Sequence, residues 1–160
     1  PHFNYNATNG GGEASIINSK TINIEHIKFS TETFSIPPLN WQTTRFLGVP
    51  LPPGLTIKMY LDNLEGTINK KSGEIILNFE ARFILQILSI FRFPNLLVKT
   101  NLITGKVKSE LHEATGQNLK SNGKMKLVGI AIIPPTNNKY LNRLLNLPTE
   151  ALAILNCKFT

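Results

Sequence analysis

Residues 79–94 read FEARFILQILSIFRFP, and from Phe83 to Phe91 only Gln86 and Ser89 interrupt an apolar run. Such a run suits a membrane anchor, a core helix or a strand with two apolar faces. A membrane-spanning helix needs about 20 mostly apolar residues. This run is far shorter and is bounded by Arg82 and Arg92. A helix would also scatter Glu80, Arg82, Gln86 and Arg92 around its circumference. A period of two sorts them better. Phe79, Ala81, Phe83, Leu85, Ile87, Phe91 and Phe93 fall on the odd face, with Ser89 its one polar member. The even face is polar at both ends and apolar at Ile84, Leu88 and Ile90. The run therefore predicts a long strand, bent near Ser89, whose odd face fills the core. Its even face turns Ile84, Leu88 and Ile90 outwards as an apolar docking strip. That strip is covered by a short helix near Tyr140–Leu145, by a partner or by lipid.

The same period runs through the neighbouring segments. Leu55, Ile57, Met59 and Leu61 share a face, and the phase changes near Asp62-Asn63, as a bulge requires. The polar NKKSGE (69–74) follows, with Gly73 able to take positive φ. A hairpin of Leu55–Ile68 and Glu74–Phe93 is predicted. Upstream, Ile22 and Ile24 alternate, then Ile27 and Phe29 continue in the other register, which predicts a bulge near Glu25-His26. Downstream, Leu96, Val98, Thr100 and Leu102 alternate with polar residues. Strands over 106–111 and 124–133 follow, with Asn122-Gly123 a hairpin dipeptide and Pro134-Pro135 a terminator. Tyr140, Leu141, Leu144 and Leu145 stand at helical spacing behind Asn137 or Asn138 as cap. Pro148-Thr149-Glu150 could start a second helical turn, and Ala153 to Phe159 alternate as a closing strand.

These segments predict an all-β domain: an antiparallel sandwich or open barrel of seven to nine strands with one short late helix. The 160 residues, 41% hydrophobic and 17% charged, suit one folded domain over 14–160 behind a flexible lead-in over 1–13. The lead-in holds a glycosylation sequon, Asn6-Ala7-Thr8. No internal repeat or coiled-coil heptad is present.

Catalytic patterns are scarce. The chain has no G-x-S-x-G, H-E-x-x-H or C-x-x-C, and Asp62 is its one aspartate. Cys157 alternates with Ala153 and Leu155, which reads as core. His2 and His26 have no ligand-like company; Glu110, His112 and Glu113 put two potential metal ligands on one strand face and imply no third. The reading is therefore a non-enzyme without cofactor or metal.

The net charge is +7, with thirteen lysines to four arginines. Between Lys99 and Lys126 six lysines face only Glu110 and Glu113, a local excess of four. If strands 106–111 and 124–133 are neighbours, Lys106, Lys108, Lys124 and Lys126 share an outer face, with Lys99 nearby. Such a basic face suits an acidic protein or an anionic membrane surface. Nucleic acid is disfavoured, because no aromatic residues interleave with the lysines as a stacking platform.

Residues 55–159, with LEGTINKKSGEIILNFEARF and GKMKLVGIAIIPPTNNKYLNRLLNLPTEALAIL, resemble an uncharacterised β-rich family of cyanobacteria and algal plastids. The resemblance implies an oxygenic phototroph and a thylakoid-associated location, as an extrinsic subunit of a photosystem or antenna assembly. It carries no functional residues. The leading expectation is a non-catalytic accessory subunit, a peripheral domain without a transmembrane segment. It docks on a larger, membrane-associated assembly through the basic face (Lys99, Lys106, Lys108, Lys124, Lys126) and the apolar strip (Ile84, Leu88, Ile90). The rival is a carrier holding a lipid or pigment inside a barrel; an enzyme comes third.

Overall fold

The computed structural model describes the backbone of residues 3–5, 8–46 and 48–160, and the side chains of these except 3–5, 18–20 and 46. His2 and most of the sequon, Asn6-Ala7, lie outside the described residues. The strands are β1 (Phe3–Tyr5), β2 (Ala14–Thr21), β3 (Ile24–Phe29), β4 (Thr44–Phe46), β5 (Val49–Pro50), β6 (Leu55–Asn69) and β7 (Ile75–Ile87). Then come β8 (Phe91–Arg92), β9 (Leu96–Ile103), β10 (Lys106–Lys108), β11 (Glu113–Thr115) and β12 (Lys124–Ile133). The helix α1 (Lys139–Leu145) and β13 (Thr149–Lys158) complete the chain. The fold is all-β and antiparallel. Its main sheet runs β13-β12-β9-β7-β6-β3-β2, with β8 against β7, and does not close: β13 and β2 are its edges. Two small sheets, β1-β4-β5 and β10-β11, were not anticipated from sequence.

The β6–β7 hairpin forms the spine, paired from Leu55↔Ile87 to Ile68↔Ile75 with a register shift between Leu61 and Asn63. That bulge moves the buried set from Leu61 to Leu64 and Ile68, as the phase change predicts. The expected bulge at Glu25-His26 is corrected. Ile22-Asn23 is a turn between β2 and β3, and the register shifts fall on β2, next to Ile17 and Lys20. Two parts of the 1–13 segment are paired. Phe3–Tyr5 pairs with Thr44–Phe46, and Gly11 exchanges two 2.8 Å backbone hydrogen bonds with Ser35.

The 79–94 stretch is two arms, not one long strand. β7 ends at Ile87, and the chain reverses over Leu88-Ser89-Ile90 to pair Phe91 with Ile87 and Arg92 with Gln86. Leu88 and Ser89 hold φ of +53° and +59°, and the Ile90 N–H reaches the Ile87 carbonyl at 3.2 Å. Positive φ at both central residues is the type I′ pattern. The return continues through Phe93, whose N–H bonds the Leu85 carbonyl at 3.0 Å, to Leu96 opposite Phe83. One extra residue on this arm is taken up at Pro94-Asn95, where proline has no N–H to give.

The two apolar clusters lie on one face of the main sheet, and Ile84 and Val128 are buried on the other. The larger cluster includes Ile27, Phe29, Leu64, Ile75, Leu102 and Leu127. A second cluster joins Leu85 and Leu96 to Leu141 of α1, with Leu55, Ile57, Phe83, Phe93 and Leu145 packed around it. Leu141 is 0% exposed. The helix is capped at its start by Asn138, whose side chain accepts from the Leu141 N–H at 2.9 Å. Thus α1 covers the odd, core-side face of β7 and not the even-face strip. Thr149 and Glu150, expected in a second helical turn, open β13. No helix of the described residues is long and apolar enough to cross a membrane.

Candidate functional site

The predicted docking strip does not exist as one surface. Ile84 is 4% exposed, whereas Leu88 and Ile90 are 61% and 78% exposed. The cause is the reversal after Ile87: parity along β7 no longer governs Leu88 and Ile90, which belong to a turn. Phe91, assigned by parity to the core face, is 63% exposed as well.

The predicted basic face is largely compensated. Lys99 pairs with Glu80 at 3.1 Å, its direct cross-strand neighbour in β9–β7. Lys106 and Lys108 both reach Glu113, the former in closest contact and the latter at 3.7 Å. The hydrogen bond and charge of Lys106 hold the Glu113 carboxyl below the usual glutamate range, with help from Lys108. Three lysines against two carboxylates leave one net charge. β10 pairs with β11 and not with β12; the chain after β11 reaches β12 through a Gln117↔Lys126 bridge. Lys124 and Lys126 sit on β12 with no carboxylate in ion-pair range among the described residues.

Beside Lys99 an open groove of about 830 Å³ crosses the sheet, with Asn63, Asn78 and Asn101 on its floor and Val107 and Lys108 at its side. The β10–β11 tip is fixed by Glu150 of β13. Ser109 Oγ donates to Glu150 Oε1 in a very short contact, and His112 Nδ1 lies 2.7 Å from the same oxygen. Ser109 Oγ also accepts from the N–H groups of Leu111 (3.2 Å) and His112 (3.0 Å). These contacts, the Ser109 hydrogen bond first, lower the Glu150 carboxyl from its ordinary range. A nucleophilic triad needs the imidazole between hydroxyl and carboxylate. Here the carboxylate stands in the middle, so the set is a clamp on the hairpin. His112 is thus turned to Glu150, which lies about forty residues on in the chain and which no local motif signals. Among the described residues, no three His, Cys, Asp or Glu side chains gather as a metal site. Cys157 packs against the larger core cluster, and burial pushes its thiol up.

A different surface emerges at the end of the sheet where β7 turns. Leu88 N–H bonds the Gly54 carbonyl at 2.7 Å, which ties the turn to the start of β6. α1 sits at this end because Leu141 and Leu145 pack with Leu55, Leu85 and Phe93. Its outward side shows Tyr140 and Leu144, one helical turn apart and both exposed, beside Lys139 and Arg143. Leu39 bridges Ile57 in antiparallel sense, so the following turn runs towards the same end and carries exposed Trp41. The contributing segments 36–61, 81–97 and 133–149 contain no Asp or Glu. They contain Arg45, Lys58, Arg82, Arg92, Lys139 and Arg143. Arg82 is held by Asp62 at 2.8 Å; among the described residues the other five have no carboxylate in ion-pair range. Sequence reasoning overlooked this end because its cations are few and dispersed; the missing acids were the available signal.

Comparison with known proteins gives this chain no relative: no protein-family model, no curated protein and no solved structure matches it.

Proposed function

We propose that this chain is a non-catalytic binding module that docks on a larger, membrane-associated assembly through the β7–β8 turn end. The observation that carries the reading is segregation. One end combines exposed apolar side chains with cations that, Arg82 apart, have no carboxylate in ion-pair range among the described residues, whereas the lysines of the predicted basic face are mostly paired. An acid-free basic surface favours an anionic counterpart and speeds encounter with it, more so at low salt. Lys124 and Lys126 remain a second, smaller source of uncompensated charge. On the resemblance of residues 55–159 alone, the thylakoid is the candidate membrane and a photosynthetic complex the candidate assembly. The carrier reading is less well supported, because the main sheet is open and the groove beside Lys99 is polar-floored.

Fractionation of cells making the tagged chain tests this. The chain is expected with membranes at low salt, released by high salt, and released already at low salt when Arg92→Glu and Arg143→Glu are combined. A wild-type chain that stays in the low-salt supernatant would overturn the reading.

A further inference from the structure

We propose that the tip Leu88–Phe91 inserts into the interfacial layer of an anionic phospholipid bilayer, with Arg92, Lys139 and Arg143 meeting the lipid phosphates. The inference rests on the docking reading above in using the same end, and it adds the chemistry of the counterpart.

The first ground is strain with little apolar burial in return. A type I′ turn favours Asn or Gly at its two central residues, because both need positive φ. This chain places Leu88 and Ser89 there, at +53° and +59°. A leucine in the left-handed region is unfavourable, and such outliers in an ordered turn point towards function. The residues bury little in return: Leu88, Ile90 and Phe91 are all more than half exposed. Leu88 does lie over Gly54, where an added β-carbon would come within 2.6 Å of Leu88 Cδ2. That contact fixes the direction of the tip without covering it.

The second ground is the collar. Arg92 follows the tip directly, and Lys139 and Arg143 stand one helical turn apart on α1. No acidic residue occurs in the segments that build this end. Trp41 and Tyr140 add amphipathic aromatics, the residue types that favour a membrane interface. Aliphatic tip, aromatic residues and cations together match the acyl boundary, the headgroup layer and the phosphates of one leaflet. A convex tip suits a deformable bilayer; an acidic protein partner would need a pocket for it, and is an outcome of the test.

The experiment is co-sedimentation with protein-free vesicles of phosphatidylcholine containing phosphatidylglycerol, against vesicles of phosphatidylcholine alone. The wild-type chain is expected to bind the anionic vesicles and to bind the neutral ones far less. Ile90→Asn and Phe91→Ser should each lower the partition coefficient about tenfold, the loss of one buried apolar side chain. Each of Arg92→Gln, Lys139→Gln and Arg143→Gln should lower it about fivefold. Lys99→Gln combined with Lys106→Gln and Lys108→Gln should leave it nearly unchanged. All these positions are outside the two apolar clusters, and an unchanged urea midpoint checks each fold. No binding to the anionic vesicles, tip variants that bind like wild type, or loss of binding in the lysine triple variant would each overturn the inference. If vesicles fail while cell membranes still retain the chain through Arg92 and Arg143, the lipid inference falls and docking on an acidic protein stands. If both fail, both readings fall.

Discussion

The two ends of β7 are both tight reversals, and they are built by opposite rules. At the entry, Asn69 Oδ1 accepts from the N–H groups of Lys71 (2.9 Å) and Ser72 (3.1 Å), and Ser72 Oγ accepts from Glu74. Gly73 supplies φ of +74°, and its carbonyl takes the Leu119 N–H at 2.8 Å. Each residue there satisfies a backbone group or a dihedral the turn demands. At the exit, Leu88 and Ser89 take equivalent dihedrals with β-carbons on both, and exposed apolar side chains follow. One turn is chosen for stability; the other keeps side chains that a stability criterion would replace. Strain and exposure together separate a turn that closes a hairpin from one that presents a surface.

This contrast can be broken or sharpened by mutation. If the exit end is held by the helix beneath it, Leu141→Ala should have the largest effect, costing about 3 kcal/mol in chemical denaturation because it empties a fully buried site. A loss under about 1 kcal/mol would mean that α1 merely rests on the sheet. Gly73→Ala should cost about 2 kcal/mol, since φ is positive and the new β-carbon would meet the Leu119 carbonyl oxygen at 2.4 Å. Asn69→Ala should cost about 1 kcal/mol through two lost turn hydrogen bonds. The exit turn should answer with the opposite sign: Ser89→Gly is expected to stabilise by about 0.5 kcal/mol. A destabilising Ser89→Gly would show that the exit turn is optimised after all.

The smallest expected effect concerns the clamp between the ends. The Glu150 carboxyl is held below its ordinary range by Ser109 and His112, so its contribution to stability is present above the unfolded-state pKa. It is lost as pH falls through the lower folded value. Urea midpoints measured downwards from neutral pH should therefore fall more steeply in wild type than in Glu150→Gln below the ordinary glutamate range. Parallel acid profiles would remove Glu150 from the account of acid sensitivity.

Much of the framework was legible in the sequence because its signals were local. The β6–β7 hairpin, its bulge at Asp62, the Asn122-Gly123 turn and the Asn138 cap each rest on a few adjacent residues. The exit turn was not, for a definite reason. Phe91 pairs directly with Ile87, and Phe93 N–H bonds the Leu85 carbonyl. Cross-strand partners lie on the same sheet face, and here they differ in number by an even count. Odd parity therefore survives the reversal, and two arms read as one strand. Leu88-Ser89 offers no turn chemistry to contradict it. The lysine face failed differently: Lys99 meets Glu80 only through the β7–β9 register, so counting lysines without pairing overstates the charge. The Glu150 clamp joins segments about forty residues apart and leaves no local trace.

The central claim is that the β7–β8 turn end, and not the lysine face, meets the membrane. Trp41 is the chain's one tryptophan and lies at that end. Its emission should shift to the blue when phosphatidylglycerol-containing vesicles are added, and brominated acyl chains should quench it. An unchanged emission from a chain that nevertheless sediments with those vesicles would contradict the claim.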